Sequence, residues 1–426
     1  VFADGTSWTR AQLRDMLLTS NAGNETFNGF SGNDTFRYSR GGGQDTIIEA
    51  ANAGSGDQLL LTDINPAAVS LVRNGNDVTI VIAESTPGAG DGGSVLLKDT
   101  LDDYFYRGVD QVTFADGTVW SRSDIRIRLL DQAATPGNDT IVGFNTADTL
   151  IGRQGNDALN GGEGNDTFRY SRGDGHDTII EAANAGSGDQ LLFTDINPAA
   201  VSLVRNGIDV TIVIAESTPG AGDGGSVLLK DTLDDYVYRG VDKVVFADGT
   251  SWTRAQLRDM LLTSNAGNET FNGFSGNDTF RYSRGDGHDM IIEAANAGSG
   301  DQLLLTDINP AAVSLVRNGN DVTIVIAESS PGAGDGGSVL LKETLDDYFY
   351  RGVDKVTFAD GTVWTRAKIR DLLATNAGTA GNDTISGTNA ADILAGRHGN
   401  DALNGGDGND TYVYARGDGN DTITEA

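Results

Sequence analysis

In two stretches of this chain, apolar residues recur singly at every ninth position. Ile141, Leu150, Leu159 and Phe168 form the first series, and Ile385, Leu394, Leu403 and Tyr412 the second. Between them lie polar, glycine-rich hexapeptides that close on aspartate. Gly161-Gly162-Glu163-Gly164-Asn165-Asp166 is one, followed by Thr167-Phe168-Arg169. This is neither a helical nor a long-strand rhythm. One inward apolar residue between two outward ones predicts a short strand. The hexapeptide before it predicts a turn, with glycine where the backbone takes positive φ or where carbonyls converge.

Each closing aspartate offers a hard oxygen ligand of the kind Ca²⁺ collects. The candidates are Asp139, Asp148, Asp157 and Asp166, then Asp177 after a two-residue insertion. The second series gives Asp383, Asp392, Asp401, Asp410 and Asp421. Some turns depart from the pattern: Arg153 and Arg397 stand at the second glycine, and the turns at Gly143 and Gly387 keep only the first glycine, the aspartate and the apolar residue. Shorter runs begin at Ser20 and Ser264, where Glu25 and Glu269 replace the first aspartate and Asp45 and Asp289 close the last turn.

Other segments follow different periods. Residues 69–73 and 78–82 alternate on either side of Asn74-Gly75-Asn76-Asp77, which predicts a β-hairpin. Residues 94–98 and 109–114 predict further strands, the latter turning at Asp116-Gly117. This antiparallel module is expected to cover the open end of the preceding coil. Thr9-Arg10-Ala11-Gln12 has capping-box spacing. Leu13, Met16 and Leu17 then follow at i, i+3 and i+4, predicting a short helix with one apolar face, repeated from Thr253.

A longer period encloses these elements. Phe-Ala-Asp-Gly-Thr recurs at Phe2, Phe114, Phe246 and Phe358, and residues 2–113 and 246–357 align without gaps, differing at six positions. The units expected are 20–131 and 264–376, each with a short coil, and 132–263 with a long one. Residues 1–19 end a preceding unit, and 377–426 open a further one with a long coil. Near-identical copies point to a role carried by repetition, because an active site seldom needs several copies.

Composition narrows the functional classes. Asp and Glu number 61 against 30 Lys and Arg, a net charge of −31. That self-repulsion opposes compaction until counter-charge arrives, and the absence of a basic patch disfavours nucleic acid. There is no cysteine, hence no disulfide or thiolate site. No apolar run is long enough to span a bilayer.

Isolated motifs point to little else. Gly88-Ala89-Gly90-Asp91-Gly92-Gly93 matches a dinucleotide fingerprint in letters, but a strand-like segment follows where a helix is required. His176, His288 and His398 read as variable turn residues, since Gln44, Asn420 and Gln154 occupy equivalent places. The acidic pairs at Asp102, Asp234 and Asp346 are adjacent in sequence, unlike the separated carboxylates of glycosidases. The chain is therefore expected to be no enzyme. Tyr104 and Tyr106 offer a weak case for carbohydrate binding.

The nonapeptides follow the G-G-x-G-x-D-x-U-x pattern and resemble the calcium-binding repeats of RTX proteins. The run through Arg205-Asn206-Gly207, Asp209-Val210 and Phe246-Ala247-Asp248-Gly249-Thr250-Ser251-Trp252 is similar to the haemolysin-type calcium-binding related domain. The resemblance implies a mainly β fold: parallel β-rolls, two nonapeptides per turn, alternating with small antiparallel modules and a short helix. Turns 134 and 152, 143 and 161, and 152 and 172 would stack, giving roughly three Ca²⁺ per long coil and about one or none per short coil. Calcium is thus expected around Asp139–Asp177 and Asp383–Asp421, with the short coils nearly bare. The resemblance further implies type I secretion and folding outside the cell. The expected role is a calcium-rigidified array such as a surface layer, filament or adhesin stalk, with homotypic or cell-surface partners. The alternative is a region that helps secrete and fold an enzyme or toxin carried elsewhere in the parent protein.

Overall fold

The structure is a computed structural model that describes residues 3–49, 56–102, 107–181, 188–234, 239–293, 300–346 and 351–425. Residues 1–254 and 255–426 form two compact units.

In the first unit the chain opens with helix α1 (Arg10–Leu17), capped as its sequence predicts: Thr9 accepts from Gln12 N–H, and the Gln12 side chain accepts from Thr9 N–H. Its apolar face is not covered, since Leu13, Met16 and Leu17 are all exposed. The strands that follow are β1 (Thr26–Asn28), β2 (Thr35–Tyr38), β3 (Gln44–Ile48), β4 (Gln58–Leu61), β5 (Val69–Asn74), β6 (Asp77–Ile82), β7 (Gly93–Leu97), β8 (Gln111–Thr113) and β9 (Val119–Ser121).

Successive turns send their strands to alternate sheets, so β1 pairs with β3 and β2 with β4, all parallel. The antiparallel module does more than cover the coil. Strand β7 joins β3 in parallel, and β6 and β5 add antiparallel to it; β8 joins β4 in parallel, and β9 adds antiparallel. One repeat is therefore two continuous sheets, ordered β1-β3-β7-β6-β5 and β2-β4-β8-β9. Their inward residues Phe36, Ile47, Leu59, Val95, Leu97 and Val112 are buried, each worth roughly 1.5–3 kcal/mol.

Helix α2 (Arg122–Ala133) leads to the long roll: β10 (Thr140–Val142), β11 (Thr149–Ile151), β12 (Ala158–Asn160), β13 (Thr167–Tyr170), β14 (His176–Ile180) and β15 (Gln190–Phe193). Ile141 opposes Leu159 and Leu159 opposes Ile179; on the other side Leu150 opposes Phe168 and Phe168 opposes Leu191. The stacking of 134 on 152, 143 on 161 and 152 on 172 is thus observed. The module repeats as β16 (Val201–Asn206), β17 (Asp209–Ile214), β18 (Gly225–Leu229), β19 (Lys243–Val245) and β20 (Ser251–Thr253).

The second unit has the same plan. Its sheets contain Thr270–Asn272, His288–Ile292, Gly337–Leu341, Asp321–Ile326 and Val313–Asn318, and Thr279–Tyr282, Gln302–Leu305, Lys355–Thr357 and Val363–Thr365. A last roll follows helix Arg366–Ala377, built on buried Ile385, Leu394 and Leu403.

An arginine ties each hairpin of a short-coil repeat to the next roll. Arg73 donates to the carbonyls of Val142 (2.6 Å) and Gly143 (3.0 Å), and its guanidinium lies 4.0 Å from the Phe144 ring centre. Arg317 repeats the pair of bonds at Ser386 (2.6 Å) and Gly387 (2.8 Å). Charge-assisted bonds of this kind are worth about 1.5–3 kcal/mol. Arg73→Ala is therefore expected to raise amide hydrogen exchange at residues 140–151 while leaving the short coil protected. Unchanged exchange there would contradict the role given to this joint.

Candidate calcium-binding sites

The turn geometry gives each glycine of the nonapeptide a separate task. At Gly162 and Gly164 the backbone takes φ of +97° and +130°, a region closed to most side chains. At Gly161 the constraint is space, because a Cβ would meet Asp166 Oδ2 at 2.4 Å. Arg153 and Arg397, which replace the second glycine, are held at φ +69° and +67°. The turn keeps its shape there and bears the strain of a left-handed arginine.

The aspartates form ladders. In the long roll Asp157 Oδ1 accepts from Asp139 N–H at 2.8 Å, and Asp177 Oδ1 from Asp157 N–H at 3.0 Å. On the other side Asp166 accepts from Asp148 N–H at 2.7 Å. The last roll repeats both, Asp401 accepting from Asp383, Asp421 from Asp401, and Asp410 from Asp392. In the short coils Asp45 and Asp289 accept from the N–H of Glu25 and Glu269, each at 2.9 Å. Glutamate there keeps the rung, since the rung needs only its backbone.

One oxygen of each carboxylate is thereby used. The second oxygens of Asp45, Asp157, Asp166, Asp401 and Asp410 are buried with no hydrogen-bond partner. An ionised oxygen left so is costly unless a cation meets it. Backbone carbonyls converge on the same turns: a Cβ at Gly143 would meet Gly161 O at 2.1 Å, and one at Gly155 would meet Gly137 O at 2.4 Å. Carboxylate and carbonyl oxygens with no nitrogen or sulfur donor are the set that Ca²⁺ prefers, so these residues fit the ion.

Burial pushes the carboxyls of Asp166 and Asp177 up to about 7. It also raises those of Asp157, Asp45 and Asp289. A carboxyl raised in the fold above its unfolded value of about 3.9 opposes folding once ionised. That opposition is absent below about pH 4 and complete above about pH 7. The calcium-free chain is therefore expected to fold more readily at pH 5 than at pH 8. Calcium binding should show the reverse order, because metal must displace those protons. The β signal by circular dichroism in chelator at the two pH values checks this, and a stronger signal at pH 8 would contradict it.

The acidic residues are not confined to the long rolls. Among the described residues, three groups of carboxylates converge closely enough to hold a metal: Asp34, Glu49 and Asp57; Asp166, Glu181 and Asp189; and Asp278, Glu293 and Asp301. Two of these groups lie in the short coils expected to be nearly bare. Asp57 also adds a rung there, accepting from Asp34 N–H at 2.7 Å. Of these residues, the nonapeptide spacing singles out Asp166 but not Glu49, Asp57, Glu181, Asp189, Glu293 or Asp301. The missed signal was a Gly-Asp-Gln-Leu-Leu recurring at Gly56, Gly188 and Gly300, an aspartate after glycine at the head of a strand.

The histidines stay at the edge: His176 and His288 Nδ1 lie 2.9 Å from Ser226 and Ser338 Oγ. Tyr104 and Tyr106, and the second member of each acidic pair, lie outside the described residues.

The model of the "RTX calcium-binding nonapeptide repeat (4 copies)" matches residues 17–47, 134–168, 142–179, 261–289 and 377–412. That of the haemolysin-type calcium binding protein related domain matches 77–124, 209–256 and 332–368. The first set falls on the rolls and the second on the antiparallel modules. The chain belongs to the RTX haemolysin-type calcium-binding repeat proteins, and its ion is Ca²⁺. Both models describe calcium-binding repeats rather than a catalytic domain. Among solved structures, the chain is similar to the extracellular lipase LipA from Serratia marcescens, at 17% identity and a TM-score of 0.13, covering 49% of this chain and 36% of that one. The chain thus spans about a third of the length of that lipase. No curated protein matches it.

Proposed function

We propose that this chain is the calcium-binding repeat region of a secreted bacterial protein, and that it folds on calcium outside the cell into a rigid structural or adhesive array. Repetition carries the reading. Residues 2–113 and 246–357 differ at six positions, and both copies build the same pair of sheets from rolls and modules. Duplication that preserves everything and specialises nothing favours length or copy number as the selected property. The repeating units of the array are 20–131, 132–263 and 264–376, and the chain itself performs no catalysis. No helix among the described residues is long and apolar enough to cross a membrane. Its partners are further copies of itself or a ligand on a cell surface.

The test is small-angle scattering on chains with added repeat units. In millimolar calcium the maximum dimension is expected to grow by a constant step per unit. A dimension that does not follow copy number would contradict the array and favour a region that only assists secretion and folding of an attached domain.

A further inference from the structure

The three carboxylate groups lie where the roll hands over to the antiparallel module. In each, the aspartate of a turn (Asp34, Asp166, Asp278) meets the glutamate just beyond a strand of the opposite sheet (Glu49, Glu181, Glu293) and the aspartate that begins the next strand (Asp57, Asp189, Asp301). The ligand atoms of each group lie within 4.8 Å of one another. All nine side chains are buried, none more than 6% exposed.

Asp166 is fully buried, and its Oδ2 has no hydrogen-bond partner. That oxygen and Glu181 Oε1 point at one place: a Cβ built on Gly161 would meet them at 2.4 and 2.3 Å. At Gly29 and Gly273 the glutamate lies closer still, a Cβ falling 1.7 and 1.8 Å from Glu49 and Glu293 Oε1, while Asp34 and Asp278 Oδ2 accept from Phe30 and Phe274 N–H at 2.6 Å. Glycine leaves a space, and buried carboxylates fill its rim. Arg122, Arg254 and Arg366 are engaged by Asp110, Asp242 and Asp354 at 3.0, 3.4 and 3.0 Å. Three carboxylates at such separations repel one another unless protonated or bridged by a cation.

We propose that each group is a calcium site in its own right, with a glutamate ligand that the nonapeptides do not supply, and that it fastens roll to module. The ion joins three parts of the repeat. Asp57 extends the link, since its N–H donates to Asp110 Oδ2 (3.0 Å) and Asp110 holds Arg122 at the first position of α2. The site also gives the short coils an ion of their own. It is independent of the array reading: a loaded junction in a chain that never assembles would support one and sink the other.

The test is the number of calcium ions bound to the full chain, by native mass spectrometry, for wild type and for Glu49→Gln, Glu181→Gln and Glu293→Gln combined. The combined variant is expected to bind about three fewer ions, with the nonapeptide sites still loaded. An unchanged count overturns the proposal. Should the combined variant fail to fold, Glu49→Gln alone is expected to bind one fewer, and an unchanged count again overturns it. Crystals of the wild-type chain in calcium supply a reading without substitution. Anomalous density between Asp34, Glu49 and Asp57 supports the site, and water density alone overturns it. Equal loading by Mg²⁺ alone would overturn the assignment to calcium.

Discussion

Asp157→Asn is expected to stabilise the calcium-free chain and to destabilise the calcium-loaded one. Asp157 sits in the middle of a ladder, accepting from Asp139 N–H and donating its own N–H to Asp177. Asparagine keeps the side-chain carbonyl for the first bond and leaves the second untouched. What it removes is the charge on Oδ2, which is buried and has no hydrogen-bond partner. In chelator that removal should return about 1–3 kcal/mol, because a buried charge without a partner costs more than the neutral amide that replaces it. In calcium the same change deletes an anionic ligand. Groups in the shell beyond the ligands already cost about 10–100-fold in affinity when lost, so at least a tenfold loss is expected here. Denaturant unfolding in calcium and osmolyte-induced folding in chelator measure the two signs, and a shift of the same sign in both would contradict the ladder account. Asp34→Asn should weaken calcium binding as well, because Asp34 belongs to a buried carboxylate group of its own.

Gly175→Ala is expected to cost more than any substitution of an exposed glycine, and Gly173→Ala supplies the comparison. Both glycines have positive φ, +106° and +86°. At Gly173 nothing lies within 4 Å of an added Cβ, so alanine should cost only the left-handed penalty of about 1–2 kcal/mol. At Gly175 the Cβ would fall 1.9 Å from Gly155 O, a backbone atom of the turn below. Gly175 also accepts from Ser226 N–H at 3.0 Å and Tyr170 Oη at 2.7 Å, which fixes the start of β18 against the roll. The turns must separate to admit a methyl group, and overpacking of about 1–3 kcal/mol adds to the strain. The expected loss at Gly175 is about 2–5 kcal/mol by urea unfolding in saturating calcium. Equal losses at the two glycines would contradict the close stacking of turns.

The rolls were legible because their rule is local. A nine-residue step with one apolar position fixes both where each strand falls and which turn lies beneath it. The ladder residues Asp139, Asp157 and Asp177 followed from spacing alone. The module strands were legible from alternation, but their partners were not. Nothing within 94–98 says that β7 pairs in parallel with β3, a contact set by the whole repeat. The helix face shows the same limit: Leu13, Met16 and Leu17 are exposed, whereas Leu257, the counterpart of Leu13 in Arg254–Leu261, is fully buried, so spacing gives the face and its surroundings decide its burial. The carboxylate groups were missed because Glu49 and Asp57 stand outside the nonapeptide step. They reach Asp34 only after the chain has changed sheets, so the convergence exists in the fold and not in any short window of sequence.

The central claim is that calcium supplies the counter-charge that lets an acidic chain of net charge −31 close its turns, so that binding energy becomes folding energy. The direct measurement is far-ultraviolet circular dichroism of the whole chain during a calcium titration from chelator at pH 8. A cooperative change from coil to β signal near about millimolar calcium, the range of extracellular modules, and its reversal by chelator, is the predicted result. A chain with the full β signal in excess chelator at that pH would contradict the account.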